Sequence, residues 1–258
     1  ALLDWLAQTF RAEGWSRKAL IRRIVLSRTY RQSSLRRPEV AERDPDNRLL
    51  SRQNRRRVEA EIVRDLHLAA AGLLTRRIGG RSVFPPVPED VVAQSFANNY
   101  QWKESTGPDR YRRGLYTFFK RTAPDPNLMT FDCPDSNTSV TKRNRSNTPL
   151  MALATLQNIV FHEAAQAFAA RIVSTAGTDE ERIVRAFRIA LARHPSQAEQ
   201  EVLAGLLEDY QLYYSINTDE AGTLAGNFVP KDSDAVTTAP WVATLRILTT
   251  LDEFLTCP

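Results

Sequence analysis

The segment from Phe131 to Pro149, FDCPDSNTSVTKRNRSNTP, concentrates the polar side chains best suited to chemistry. It ends at the start of a predicted helix, where exposed backbone amides and the helix dipole favour an anion. Its arginines can each donate two parallel hydrogen bonds to a carboxylate, sulfate or phosphate. The candidate ligand-binding residues are Asp132, Asp135, Arg143, Arg145, Asn147 and Thr148.

Two interpretations of this segment stay open at the level of sequence. In the first, the arginines bind an acidic glycan, and Asp132 and Asp135 are the paired carboxylates that glycoside cleavage needs at a suitable separation. In the second, the carboxylates pair with Arg143 and Arg145 while the Asn and Thr side chains satisfy backbone groups. The segment would then be a strap that is pinned over the helices.

The three histidines do not form a metal-binding motif. His67, His162 and His194 are far apart, whereas a catalytic metal site normally takes three protein ligands. A zincin helix needs a second His four residues after the first, and that position after His162 is Gln166. A structural role is enough for His194, since an imidazolium at a helix end favours the dipole. We therefore predict no catalytic and no metal-binding residue.

The common cofactor motifs are also missing from the sequence. It contains no Gly-x-Ser-x-Gly elbow, no phosphate-binding Gly loop and no Gly-x-Gly-x-x-Gly fingerprint. Cys133 and Cys257 allow at most one disulfide, and the sequence leaves open whether they pair. Neither lies in a Cys-x-x-Cys-His run, so this chain is not expected to attach a c-type haem itself.

The 258 residues are 42% hydrophobic and 25% charged, which is typical of a globular protein and excludes a disordered or collagen-like chain. The net charge of +5 is unevenly distributed. Residues 11–64 hold 16 basic and 7 acidic side chains, whereas residues 178–258 hold 6 and 13. The basic segment could bind nucleic acid, with a steep salt dependence, but no nucleic-acid motif accompanies it. It could equally face the acidic segment or a neighbouring domain, or be solvated.

Apolar side chains recur at helical spacing over most of the chain, so we predict an all-α fold. The expected architecture is an irregular multi-helix bundle of about eight helices with long Pro-rich loops. A first helix over Leu2–Phe10 stops at Gly14, and Ser16 caps a second one. A third helix carries Val58–Leu73 and is predicted to stop at Gly79-Gly80.

The middle of the chain contains few regular patterns. Residues 81–109 are predicted to be mostly connection, with Pro85, Pro86, Pro88 and a short apolar burst at Val91 and Val92. Tyr111–Phe119 fits one helical face, although Gly114 weakens the pattern and leaves a strand as an alternative. Residues 122–147 show no period, and loops of this length are usually functional or mobile.

The C-terminal part shows clear helix starts. Thr148 and Pro149 suit the cap and first position of a helix whose pattern continues to Ile172. Thr178 with Glu181, and Ser196 with Glu199, have the capping-box spacing. Two further predictions complete this part: a long loop over 215–239 and a last helix over 241–251.

Several separated stretches together resemble one known family. They are LLDWLAQTFRAEGWSRKALIRRIVLSRTYRQSS, DPDNRLLSRQNRRRVEAEIVRD, YRRGLYTFFKRTAPDPNLMTFDCPDSN, RSNTPLMALATLQNIVFHEAAQAFA and TLDEFLT. In this order they resemble the C-terminal PSD-type domain of unknown function of planctomycete cytochrome C proteins. The resemblance covers nearly the whole chain.

The resemblance implies a setting rather than an activity. Such domains are found at the end of large exported bacterial proteins, in the periplasm or at the cell surface, behind a companion domain and often a cytochrome c-like haem module. The family brings no established catalytic residues, and His162 and Cys133 stand where other residues are expected. Any haem c would belong to a missing portion of the longer protein. The genomic setting associates the family with complex polysaccharides.

Three functional hypotheses follow. The first is a non-catalytic structural or interaction domain that contacts companion domains of the same polypeptide. The second is a module that binds or degrades an acidic polysaccharide through residues 132–148, and the last is nucleic-acid binding through residues 11–64. We expect one PSD-type domain over 1–258, truncated at its N-terminus, with a possible division into 1–80, 81–147 and 148–258. No apolar run reaches the roughly 20 residues that span a bilayer.

Overall fold

Helices dominate the computed structural model, which describes residues 1–87 and 102–257. Eleven α-helices lie in these ranges, so the prediction of an all-α fold is confirmed. The only sheet among the described residues has two short strands, β1 (Arg56–Arg57) and β2 (Thr256–Cys257). The predicted apolar burst at Val91 and Val92 lies outside the described ranges.

The described chain forms two compact units, of which the first contains Ala1–Arg56 and the chain end from Thr256. Its helices are α1 (Leu2–Ala12), α2 (Arg17–Val25) and α3 (Pro38–Ala41). As predicted, the chain turns at Gly14, whose φ of 66° is the left-handed conformation that glycine adopts without strain. Ser16 accepts a hydrogen bond from the Ala19 amide at 3.3 Å, which confirms the predicted cap.

Two buried polar side chains fix the loop that follows α3. The carboxylate of Asp44 accepts the amides of Arg48 and Leu49, each at 2.8 Å. Asn47 donates to the Arg52 carbonyl at 2.8 Å and accepts the Arg52 amide at 3.2 Å. Because these groups are buried, the bonds offset their desolvation and hold the loop in one conformation.

The described residues of the second unit, Arg57–Leu255, form the other eight α-helices. They are α4 (Ala60–Ala71), α5 (Pro126–Thr130), α6 (Pro149–Gln157), α7 (Ile159–Val173), α8 (Asp179–Leu191), α9 (Gln197–Ile216), α10 (Thr218–Ala225) and α11 (Ala235–Thr250). Three short 3₁₀ helices accompany them, at Gly107–Tyr111, Gly114–Tyr116 and Asp252–Leu255.

Helix α7 occupies the centre of the core in this unit. It packs against α4 on one side and α11 on another, and α11 in turn packs against α9 and α10. Phe161, Phe168 and Ile172 are at most 2% exposed, and burial of each such side chain contributes about 1.5–3 kcal/mol. Buried alanines between them, Ala164 and Ala169, let the neighbouring helices approach closely.

The third predicted helix ends earlier than expected. Helix α4 stops at Gly72, whose φ is 77°, and not at Gly79-Gly80. The Leu73 amide bonds to the Leu68 carbonyl at 2.9 Å, which closes the helix end. Leu73 lies beyond the end of α4 but still packs against the core. The apolar spacing in the sequence therefore continues past the last helical residue.

The α-helix predicted over Tyr111–Phe119 does not form, and the alternative of a strand is limited to isolated bridges. The segment makes two 3₁₀ turns and two isolated parallel bridges, Thr75 with Arg112 and Val83 with Thr117. Tertiary contact decides this, because a Cβ at Gly114 would lie 2.3 Å from the Glu61 carbonyl oxygen. The close approach of the two backbones therefore overrides the helical pattern of the segment.

The long loop predicted over 215–239 is also wrong. Helix α9 continues to Ile216, α10 follows at once, and α11 begins at Ala235. The buried side of α10 is formed by Ala221 and Ala225, which are too small to produce a strong apolar pattern. Only the stretch between α10 and α11 is a loop.

The other C-terminal starts are confirmed. Thr148 accepts the Met151 amide, and both predicted capping boxes are formed in α8 and α9. The helix predicted to continue to Ile172 is interrupted once, at Asn158, whose ψ of 135° is extended. Asn158 ends α6 and caps α7 by accepting the Val160 amide at 3.0 Å.

Candidate functional site

The candidate segment, residues 131–149, crosses the second unit between α5 and α6, and Arg57 is its principal anchor. The Arg57 guanidinium forms an ion pair with Asp132. It also donates to the Ser146 carbonyl at 2.7 Å and to the Phe131 carbonyl at 3.2 Å. Because the Arg57 side chain is only 6% exposed, these bonds join both ends of the segment to the start of α4 within the protein interior.

Asp132 is held in place from two directions. Its backbone has a φ of 63°, and its carboxylate accepts the Ser146 amide at 2.8 Å and the Ser146 hydroxyl at 3.0 Å. Burial by itself would raise the pKa of Asp132. The hydrogen bonds from Ser146 and the charge of Arg57 outweigh that effect and hold the pKa below its ordinary value. Asp132 is thus an ionised structural acceptor.

Arg143 is paired with α4. It donates to both carboxylate oxygens of Glu61, at 2.7 and 3.1 Å, and also lies 3.3 Å from Glu59. Desolvation would raise the pKa of Glu61, but the hydrogen bond and the charge of Arg143, together with a backbone hydrogen bond, outweigh it and lower the pKa below its ordinary value. Arg145 lies 3.8 Å from Glu59 on a more exposed surface. Both candidate arginines thus face carboxylates of this chain.

The three remaining candidates are also bonded within the chain. Asp135 accepts the backbone amide and the side-chain amide of Asn137, at 3.0 and 2.8 Å. Asn147 donates to Asp252 at 3.0 Å. Thr148 caps α6, as predicted. The six candidates therefore do not converge on one point, and their bonds are those expected of a strap.

A small open cavity of about 280 Å³ lies beside this segment. Its lining includes Cys133, Pro134, Val140 and Asn144 together with Asp132, Asp135, Lys142 and Arg143. Asp132 and Arg143, two of its four charged lining residues, are bound to Arg57 and Glu61. Half of the charged groups in the lining are therefore already paired within the chain.

The partners that fix the segment were missed in the sequence. Arg57, Glu61 and Ser146 were not among the candidates, although they bind Asp132 and Arg143. The pairs are 75 to 82 positions apart, except for Ser146, and no local spacing links such positions. In one of the two interpretations Asp132 or Asp135 pairs with Arg143 or Arg145, but these pairs are absent from the ion pairs of the described residues.

The family of the chain follows from its comparison with known proteins. A family model described as PSD1, protein of unknown function (DUF1553), matches residues 1–207. The chain belongs to this family. A search of curated proteins and a search of solved structures each found no match.

In this PSD1-family chain His67 is buried and His162 is half-buried, whereas His194 is exposed. His67 is fully buried between the rings of Phe161 and Phe254, and burial lowers its pKa to about 4. His162 is close to Gln166, its Nε2 lying 3.1 Å from the Gln166 amide nitrogen, and burial lowers its pKa too. Within residues 1–87 and 102–257, no three His, Cys, Asp or Glu side chains are grouped as a metal site would require.

The cysteines, the length of the helices and a second cavity add no further candidate site among the described residues. Cys133 and Cys257 are both unpaired thiols. None of the described helices combines the length and the apolar character that crossing a bilayer requires. A second cavity, of about 710 Å³, is lined by Arg182, but the guanidinium of Arg182 already bonds to Asp179 and the Thr175 carbonyl.

Proposed function

We propose that this chain is a non-catalytic structural and interaction domain of a longer, exported and haem-linked bacterial protein. One observation carries the proposal: the polar segment that looked most like a ligand site makes its hydrogen bonds and ion pairs within the chain. Arg57 joins the two ends of the segment by donating to the Phe131 and Ser146 carbonyls, and Arg143 of the segment is bound to Glu61 of α4. A segment bonded in this way stabilises the fold.

The energetics favour this role over glycan binding. An acidic ligand that displaced Glu61 from Arg143 would leave a carboxylate that is 18% exposed without its bidentate partner. Because Arg143 is itself 33% exposed, this loss costs about 1–2 kcal/mol, which a surface sugar carboxylate would need to offset. Asp132 is equally unsuited to general acid catalysis, because its lowered pKa keeps it deprotonated.

The wider setting is inferred from the family resemblance. Membership of a family of unknown function is compatible with a domain that supports its neighbours. In this proposal the haem c and the export signal belong to other portions of the longer polypeptide, and the partner of this chain is a companion domain of that polypeptide. Nucleic-acid binding through residues 11–64 stays a weaker prediction.

The first experiment tests the ligand hypothesis directly. Isothermal calorimetry with polygalacturonate and with heparin, at low salt and at about 0.15 M salt, should give no saturable binding that depends on the strap. The test variant carries Arg143→Ala and Arg145→Ala in the strap. The control variant carries Arg76→Ala and Arg77→Ala in another loop. Saturable binding that is lost only in the first pair would overturn the proposal in favour of a glycan module.

The second experiment tests the interaction role. The chain and the companion domain of the same polypeptide are expressed separately and mixed in a calorimeter. The proposal expects a defined stoichiometry and a negative heat-capacity change, since apolar surface is buried on association. The absence of heat and of co-migration at concentrations near 100 μM would contradict an interaction role.

A further inference from the structure

The first two helices of the first unit, α1 and α2, leave apolar side chains uncovered. No residue from 1 to 37 is buried, although α1 and α2 are both amphipathic. Leu3, Trp15 and Ile21 are 79%, 64% and 59% exposed. Patches of this kind on a soluble protein mark interaction sites. We call residues 1–37 the basic hairpin.

The basic hairpin is strongly charged as well as apolar. It contains nine Lys or Arg side chains and two acidic ones, Asp4 and Glu13. Arg23 is held internally, by an ion pair with Glu13 and by its position 5.4 Å from the Trp5 ring centroid. Lys18 and Arg22 are one turn apart on α2 and are both exposed. A partner should therefore combine apolar side chains with carboxylates.

The second unit of the chain presents such a surface on α9. Exposed residues recur every three or four positions along this helix, and they include Val202, Leu212 and Ile216, which are 63%, 67% and 74% exposed. Carboxylates lie on the same side of the helix. We call this set the acidic stripe: Glu201, Val202, Gly205, Glu208, Asp209, Leu212, Tyr213 and Ile216. From Gln197 to Glu220 the chain has six acidic residues and no Lys or Arg.

A glycine lies in the middle of the acidic stripe and leaves that part of α9 without a side chain. Gly205 lies in the middle of α9, where glycine costs about 1 kcal/mol relative to Ala. Its φ is not positive, and no heavy atom lies within 4 Å of a Cβ placed there. The fold of this chain therefore does not need glycine at this position. A glycine does allow the backbone of a second helix to approach closely.

We propose that two copies of this chain form a reciprocal dimer, in which the basic hairpin of each copy docks on the acidic stripe of the other. Apolar side chains would meet across Gly205, and Lys18 and Arg22 would face Glu208 and Asp209. A two-fold exchange satisfies both contacts and closes the assembly, so that no further copies are added. The inference adds a second copy of the chain to the companion domain proposed above, and it rests on the proposed interaction role.

Sedimentation velocity over a range of concentrations tests the proposal. The wild-type chain should convert to one species of twice the 29.2 kDa mass, and about 1 M salt should weaken the dimer because it screens the charges. Gly205→Gln improves helix propensity but blocks close approach, so it should weaken dimerisation at least tenfold while leaving the melting temperature unchanged or higher. Lys18→Glu with Arg22→Glu should weaken it on the other surface.

A mixing experiment identifies the two faces. Each variant alone should be mainly monomeric, whereas a mixture of Gly205→Gln with the Lys18→Glu, Arg22→Glu variant retains one intact contact and should form a heterodimer. The control Ile78→Glu changes an 89% exposed apolar residue elsewhere and should leave dimerisation unchanged.

Three results would overturn the dimer: a monomer at all concentrations, species that keep growing with concentration, or equal effects of the control and the stripe variants. Binding of a monomeric chain to vesicles with anionic lipid through the basic hairpin would also overturn it, in favour of a lipid surface. A monomer that still binds its companion domain refutes the dimer alone and leaves the proposed function standing.

Discussion

Arg57 and Asp132, 75 positions apart in the sequence, form the ion pair that fastens the polar segment to the start of α4. The same guanidinium bonds to the Ser146 carbonyl, and the Ser146 amide returns to Asp132. These three residues close a cycle in which each polar group satisfies another. The cycle converts a long irregular loop into an ordered part of the second unit.

The first prediction follows from this cycle. Arg57→Ala leaves Asp132 and two carbonyl groups without their donor, so we expect a loss of about 3 kcal/mol in the free energy of unfolding. Arg57→Lys should recover little, because one ammonium cannot reproduce the forked contacts. The control Arg145→Ala removes a long, exposed pair and should change stability by less than about 0.5 kcal/mol. Urea unfolding measures all three, and similar values for Arg57→Ala and Arg145→Ala would refute the anchoring role.

Local signals in the sequence predicted local structure well. Ser16, Thr148, Thr178 and Ser196 each cap the helix that their spacing indicates, because a cap depends only on groups within three residues. The all-α class followed from the same short-range periodicity. Helix caps and helical periodicity depend on residues that are close together in the sequence, so they can be predicted from it.

Features that depend on distant residues were not predicted. The segment around Gly114 is not an α-helix despite its helical pattern, because the Glu61 backbone lies against Gly114. No residue near Gly114 in the sequence indicates this contact. The polar composition of residues 131–149 predicts an important segment and supports two interpretations of it, a ligand site or a strap. Arg57 and Glu61 decide between the two interpretations, because they bond to the segment. They lie far from it in the sequence and contact it only in the folded chain. Helix α10 was missed because its buried side consists of alanines.

The second prediction concerns pH. His67 has a pKa near 6.5 when exposed and about 4 in its buried site, because burial disfavours the charged imidazolium. As the pH falls from 6.5 towards 4, His67 is therefore protonated in the unfolded chain but stays neutral in the folded chain. The contribution of neutral His67 to the free energy of unfolding is fully present above pH 6.5. It should decline between pH 6.5 and 4 by at most about 1.4 kcal/mol per pH unit.

Two measurements check the role of His67. In NMR spectra the imidazole signal that disappears in His67→Asn should show no titration until the pH approaches 4. In urea unfolding at several pH values, His67→Asn should lack part of the decline between pH 6.5 and 4, whereas the exposed control His194→Asn should retain it. A His67 signal that titrates near pH 6.5 in the folded protein would show that the ring is not buried as described.

The third prediction concerns the two cysteines. Cys257 is exposed, whereas Cys133 is partly buried and burial raises the pKa of its thiol. Because the thiolate is the reactive species, a thiol reagent at pH 8 should modify Cys257 well before Cys133. Mass spectrometry after digestion locates the label, and Cys257→Ser should leave only the slow phase. Equal rates in the native protein would contradict the burial of Cys133, and a disulfide would appear as no reaction at either site.

The fourth prediction compares two glycines that the sequence does not distinguish. At Gly114 a methyl group would overlap the Glu61 carbonyl, and the Gly114 amide donates to Asp65 at 2.7 Å in a buried contact. Gly114→Ala must move the turn away from α4, and we expect a loss of about 2 kcal/mol in the free energy of unfolding. At Gly222, inside α10, nothing lies within 4 Å of the added carbon.

Gly222→Ala should therefore raise stability by up to about 1 kcal/mol, since alanine favours the helix and restricts the unfolded chain. Thermal and urea unfolding of the two variants give the comparison. Opposite signs are required, because the same methyl group meets backbone at one position and solvent at the other. Stabilisation by Gly114→Ala would mean that the turn at Gly114 does not pack against α4, and the reason given for the failure of the helical pattern there would be wrong.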